Sequence, residues 1–170
     1  MINMAEFKNI EVADFKTKPF ELKNKWMLIT AEKEGKVNTM TASWGGLGVM
    51  WNKEVAFVVI RPQRYTKEFV DTSETLTLTF FDERYKKDLA YLGKVSGKDE
   101  DKLAKTSLTL DHIDHAPVFK EAETVIIAKK LYVQPMQANC FLDEEIINRW
   151  YPESDYHYLY IAEITKILIK

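Results

Sequence analysis

The sequence predicts a mainly β domain, a barrel or sandwich with helices inserted between its strands. Three observations point there. Strand-like runs outnumber helical ones, the helical segments fall singly in the gaps, and the regular strand–helix alternation of a doubly wound sheet is missing. At 170 residues, with no internal repeat, low-complexity tract or Pro/Ser-rich linker, the chain reads as one domain over 1–170. That length suffices to bury roughly 70% of the unfolded surface.

The elements follow in order. Trp26 to Glu32 is a short apolar run entering the turn Glu34-Gly35-Lys36, and Asn38 to Ser43 continues as its hairpin partner. Val55 to Ile60 is continuously apolar and rich in β-branched residues, the pattern of a strand buried on both faces. Thr66 is the expected N-cap of a helix from Lys67 to Thr72 with Phe69 and Val70 inward. Thr75 to Phe81 alternates Thr with Leu and Phe, as a half-buried strand does. Glu83 to Leu92 places Tyr85, Leu89 and Leu92 at helical spacing, with Gly93 to end it. Asp99 to Lys105 reads as a short polar helix capped by Ser96 or Asp99. Thr124 to Val133 and Tyr156 to Ile169 are the remaining strands, and Asp143 to Trp150 is a helix closed by Pro152.

Composition removes several function classes. A net charge of −2 and a pI near 6 argue against nucleic-acid binding, which needs a basic stripe. The first sixteen residues are broken by Glu6, Lys8, Glu11 and Asp14, so no signal-peptide core is present, and no segment reads as a membrane anchor. The one cysteine, Cys140, cannot form an internal disulfide and is expected to be a small buried hydrophobe. The expectation is a soluble cytoplasmic protein. Aromatic residues make up 12%, an excess consistent with a homodimer interface.

The function signal lies between Val37 and Asn52, which carry no charge although 29% of the chain is charged. Asn38, Thr39, Thr41 and Ser43 offer neutral hydrogen-bonding groups, Trp44 and Trp51 offer flat apolar faces, and Gly45, Gly46 and Gly48 would let backbone amides approach a ligand. Downstream, Arg61 and Arg64 flank Pro62 ahead of Thr66, where guanidiniums and a helix N-terminus suit a phosphate. Together they describe a site for a flat ring carrying a phosphate. The plain alternatives are a glycine loop that only turns the chain, and surface arginines paired with Glu68 or Asp71. Gly-Gly-Leu-Gly is not a dinucleotide fingerprint, which needs G-x-G-x-x-G between strand and helix. Asp111-His112-Ile113-Asp114-His115 has the residue types of a metal site, but no third His or Cys lies nearby, which leaves a polar surface connection. No nucleophile elbow surrounds Ser43. Asp143, Glu144 and Glu145 read as a solvated helix start.

Three blocks carry a resemblance: Asn38 to Gly45 (NTMTASWG), Arg61 to Thr66 (RPQRYT) and Gly93 to Lys102 (GKVSGKDEDK). In this order they resemble the flavin reductase-like, FMN-binding split-barrel proteins, most closely the flavoredoxin-type branch, from about Lys18 to the C-terminus. The resemblance implies a split β-barrel homodimer that binds FMN non-covalently near the subunit interface. It implies flavin contacts from Asn38, Met40, Thr41, Ala42, Ser43 and Trp44, and phosphate-end contacts from Arg61, Arg64, Tyr65 and Thr66. It also implies Ser96 and Lys102 as neighbours of the phosphate or ring, and His157 ahead of the last strand. The segment between Tyr132 and Tyr156 is shorter and more idiosyncratic than the family's. The implied activity is an FMN oxidoreductase, taking hydride from NAD(P)H or electrons from a protein donor and passing them to free flavin or a partner. The alternatives are a flavin-storing protein, or a silent barrel whose pocket is empty or holds haem or pyridoxal phosphate. Hydride transfer to a flavin needs no acid–base residue, so the absence of a dyad fits.

Overall fold

The computed structural model describes residues 7–170, so the reading of the N-terminus lies outside the described residues as far as residue 6. In chain order the elements are β1 (Lys8–Ile10), α1 (Leu22–Lys25), β2 (Met27–Lys33), β3 (Lys36–Ala42), β4 (Gly45–Met50), β5 (Lys53–Ile60), α2 (Tyr65–Thr72), β6 (Thr75–Phe80), α3 (Lys86–Lys94), β7 (Leu110–Ile113), β8 (Ala116–Phe119), β9 (Thr124–Pro135), α4 (Glu144–Trp150) and β10 (Tyr158–Ile169). The main sheet is antiparallel in the order β3-β2-β6-β9-β10-β5-β4, with β1 added to β10. Its two ends, β3 and β4, are consecutive in sequence, joined only by Ser43 and Trp44, yet they do not pair. The barrel is therefore split between them.

Local chemistry sets the hairpins. Glu34 and Gly35 both take positive φ, the two-residue turn whose twist matches its strands, and this turn fixes the β2–β3 register from Lys33↔Lys36 to Met27↔Ala42. Trp51 and Asn52 do the same between β4 and β5. The glycine segment is thus an edge strand rather than a loop, paired from Gly45↔Val58 to Met50↔Lys53. Two of its glycines serve the neighbouring strand: a Cβ on Gly45, at φ +123°, would lie 2.3 Å from the Phe57 carbonyl oxygen, and one on Gly48 would lie 3.0 Å from the Phe57 ring.

Two apolar clusters hold the domain together. One fills the barrel, from Met27 and Ile29 through Val58, Ile60, Phe69 and Val70 to Tyr160 and Ile167. The other lies on the opposite side of β6 and β9, where Leu89 and Leu92 of α3 meet Val118 and Phe119 of β8. This second cluster buries Thr77 and Thr79 too, so β6 is covered on both faces instead of one; Thr77 donates to the Pro117 carbonyl at 2.8 Å. The covering element is the β7–β8 hairpin, formed where a polar connection was expected, with Asp114 and His115 at positive φ in its turn. His112 Nε2 lies 2.6 Å from Glu32, and among the described residues no three His, Cys, Asp or Glu gather to hold a metal.

Other expectations shift. Arg64, not Thr66, is the N-cap of α2; Thr66 is buried in the first turn. Helix α3 runs through Gly93 to Lys94. The polar helix at 99–105 is a turn plus one 3-10 turn, Leu103–Lys105, because Lys102 folds back to cap α3. Asp143 caps α4 by accepting from the Glu145 amide, as the acidic start implied. Cys140 is exposed rather than buried, in a 3-10 turn of the excursion between β9 and β10 whose residues 138–140 are all exposed. Among the described residues no helix is long and apolar enough to cross a membrane.

Gly45→Ala is expected to cost about 1–3 kcal/mol, the range for a side chain forced into a glycine-only conformation. Urea denaturation measures this, and a change below about 0.5 kcal/mol, the ordinary surface range, would mean that β4 is not held against Phe57.

Candidate functional site

The split between β3 and β4 opens a cleft of about 230 Å³ lined by Met40, Thr41, Ala42, Ser43, Trp44, Val59, Arg61, Arg64, Trp150 and His157. Each arrives by a simple route. The end of β3 and the two-residue link bring Met40 to Trp44, β5 and its exit bring Val59, Arg61 and Arg64, and the start of β10 brings His157. Trp150 comes from α4, the helix in the excursion between β9 and β10.

One wall is aromatic. The Trp44 ring lies 5.1 Å from Trp150 in an edge-on arrangement and 5.2 Å from the His157 ring. His157 is 7% exposed, and its Nδ1 shares a 2.8 Å hydrogen bond with the Tyr151 hydroxyl. Burial, and then the Arg61 charge, push the imidazole down to about 4, so it is neutral at physiological pH. The cleft also carries cations. Arg64 donates to the Gly93 carbonyl at 2.8 Å and has no carboxylate partner among the described residues. Lys102 is buried with its ammonium on the Leu92 and Val95 carbonyls at 2.8 and 2.9 Å. Burial, then the nearby Arg64 charge, lowers it to about 8.

The cleft gathers eight of the expected residues: Met40, Thr41, Ala42, Ser43, Trp44, Arg61, Arg64 and His157. The other five stand off its wall. Asn38 donates to the Thr66 hydroxyl at 2.9 Å, so these two satisfy each other in the interior. Asn38 also packs on Gly97, where a Cβ would come within 2.2 Å of its Oδ1 and 3.3 Å of Tyr65. Tyr65 stacks edge-on against Phe69. Ser96 accepts from the Lys98 amide, and Lys102 caps α3. The block from 93 to 102 therefore braces the strand behind the cleft.

The neutral donors also sort differently from their sequence reading. Thr39 is taken by Thr30 and the Ile29 carbonyl, and Thr41 by the Leu89 carbonyl at 2.5 Å. Only the Ser43 hydroxyl lacks a partner among the described residues. Arg61 is not paired with Glu68 or Asp71; it binds the Asp155 carboxylate and the Trp150 carbonyl, the latter at 2.7 Å. Trp51 sits on the far turn against Tyr132, 6.3 Å between rings, away from the cleft. Trp150 and Tyr151 escaped sequence reading; the available signal was an aromatic pair ahead of Pro152 in a stretch with no strand pattern.

No family model and no curated protein matches the sequence. Solved structures do. An FMN-binding domain of a flavin reductase-like enzyme from Shewanella baltica superimposes with a TM-score of 0.70 at 18% identity, over 96% of this chain and 76% of that one. The fold is the split barrel of these proteins. A flavoredoxin from Methanosarcina acetivorans matches this split barrel at 0.68 and 19% identity, covering 95% and 76% of the two chains. An FMN-binding protein from Thermus thermophilus, with p-hydroxybenzaldehyde bound, matches at 0.67 and 18%, covering 95% and 78%.

The buried imidazole has a consequence for stability. A folded value near 4 lies below the unfolded value of about 6.5, so the neutral ring's contribution is complete above pH 6.5 and is lost as the pH falls through 4. Denaturation free energies measured across that window are expected to decline more steeply for the wild type than for His157→Gln. Parallel curves would show that the imidazole is not held neutral.

Proposed function

We propose that this chain binds FMN non-covalently in the cleft and acts as a flavin-dependent oxidoreductase, a flavin reductase or flavoredoxin-like electron carrier. The observation that carries the reading is a combination in one cleft: an aromatic wall and a guanidinium with no carboxylate to neutralise it among the described residues. A planar ring with an anionic tail satisfies both. Trp44 and His157 would face the ring, with the backbone from Met40 to Ser43 along its edge, since β3 is an edge strand with unpaired outward groups. Arg64 and the Ser43 hydroxyl would hold the phosphate, and Lys102 would add positive potential from behind. Arg61, committed to Asp155, shapes the wall. Asn38, Tyr65, Thr66 and Ser96 support the strand that carries the site. When bound, the flavin supplies the redox chemistry; the protein orients it and tunes its potential. NAD(P)H as donor, and free flavin or a partner protein as acceptor, belong to the same proposal.

At about 230 Å³ the cleft is smaller than ordinary ligand pockets of roughly 300–1,000 Å³. A second copy covering the open side would complete it. Leu47 and Val49 on β4, Trp51 in the turn after it, Tyr132 and Val133 on β9, and Trp150 are large exposed apolar groups of the kind such an interface buries. The proposal therefore includes a homodimer, and a cytoplasmic setting for the exposed Cys140 thiol.

The absorbance spectrum after FMN addition tests the reading, and bleaching under anaerobic NADH or NADPH separates a reductase from a passive flavin store. Arg64→Ala is expected to weaken FMN binding by about 1.5–3 kcal/mol, the range for charge-assisted hydrogen bonds, and to leave riboflavin unaffected. Equal weakening of both ligands would remove Arg64 from the phosphate end. Sedimentation velocity checks the dimer; a monomer at micromolar concentration with FMN bound would refute it.

A further inference from the structure

The hydrogen bond between Tyr151 and His157 determines what the imidazole presents to the cleft. Tyr151 is 4% exposed, and its hydroxyl meets His157 Nδ1 at 2.8 Å. That leaves Nε2 as the ring nitrogen with no hydrogen-bond partner among the described residues, on a side chain that lines the cleft. Two arrangements satisfy this geometry. In one, the phenol donates to Nδ1 and the proton of the neutral ring sits on Nε2. In the other, Nδ1–H donates to the phenol oxygen and the phenol proton must turn elsewhere, toward the Met136 sulfur at 3.9 Å. A thioether is a weak acceptor, whereas an imidazole nitrogen is a strong one, and a phenol is the better donor of the pair. The first arrangement therefore wins. Burial holds the phenol proton on, and Arg61, whose guanidinium lies over the Tyr151 ring at 5.1 Å, together with burial disfavours a second proton on the imidazole. The charged groups nearby, Arg61 and Asp155, are paired with each other and do not compete for Nδ1.

We infer that Tyr151 is a positioning residue that locks His157 as the Nε2–H tautomer, so that the cleft offers a neutral hydrogen-bond donor to a carbonyl oxygen of the ring lying on Trp44. The site thus selects a ring with an acceptor at that edge, and it does so with a donor that persists well below neutral pH. The ring's identity as a flavin rests on the reading above; the tautomer does not. The selection resides in the excursion between β9 and β10, because Tyr151 belongs to it and His157 follows it directly.

Long-range ¹H–¹⁵N correlation on the full chain without flavin, at pH 7, reads the tautomer. Nε2 is expected to be the protonated nitrogen of His157 in the wild type, and Tyr151→Phe, which keeps the buried ring, is expected to mix or reverse the two forms. Protonation at Nδ1 in the wild type, or an unchanged tautomer in Tyr151→Phe, overturns the inference. FMN titration supplies the second readout. Losing one neutral hydrogen bond corresponds to a weakening of about 2- to 10-fold, expected for Tyr151→Phe. His157→Gln, which carries an amide nitrogen where the imidazole carries Nε2, is expected to retain more FMN affinity than His157→Asn and to lose the sensitivity to Tyr151→Phe. Equal losses in the Gln and Asn variants would also overturn it. Failure of the wild type to bind FMN would remove the proposed function and leave the tautomer to be decided by resonance alone.

Discussion

The gap between β3 and β4 is the constraint on which the rest of the molecule depends. Seven strands follow one another around the sheet, and its ends are linked by two residues that cannot bridge them with a ladder. An unpaired edge is ordinarily a hazard. Here it is the one place where backbone groups, an indole and the exit of the adjoining strand β5 reach a common space. Gly45 and Gly48 of β4 let that strand lie close on Phe57 and hold the gap's far side in place. Had β3 and β4 paired, the barrel would have closed and the cleft would be core.

Electrostatics then differentiates the two arginines that leave β5. Arg61 is neutralised: Asp155 accepts from it and from Gln63, the latter at 2.6 Å, and the Gln63 and Arg61 bonds hold that carboxyl below the usual range. The result is a clamp tying α4 and the approach to β10 onto the barrel. Arg64 meets only a carbonyl, and Lys102 likewise meets two, so both cations are held by helix α3 in surroundings that already lower their proton affinity. Burying two like charges without a counter-charge is unfavourable unless an anion shares the space, which is why the cleft's charge asymmetry carries more weight than its shape.

Much of this was legible in the sequence, for reasons that can be named. Strands β2, β3, β5, β9 and β10 announce themselves through β-branched, apolar runs, and α4 through its acidic start. The cleft residues from Met40 to Trp44 stood out because an uncharged stretch in a highly charged chain is uncommon, and Arg61 and Arg64 because they flank Pro62 at the end of an apolar strand. What escaped depends on tertiary partners. Glycines that pack on Phe57 look the same in sequence as glycines that turn a loop. Thr66 resembles an N-cap until Asn38 claims its hydroxyl. The β7–β8 hairpin hides because its turn uses Asp114 and His115, not Asn-Gly, and without it β6 reads as half-buried. Cys140 follows the average for its residue type only where its own turn is covered, and at residues 138–140 it is not.

The long strand β10 reaches further than the cleft. It comes after every other element and makes ladders with β9, β5 and β1, so the sheet lacks its middle until that stretch has been synthesised. Contacts so distant along the chain slow folding and leave partly made sheets exposed. Strands β5 and β9 therefore have no common neighbour until β10 docks between them, and the early hairpins alone cannot assemble the barrel.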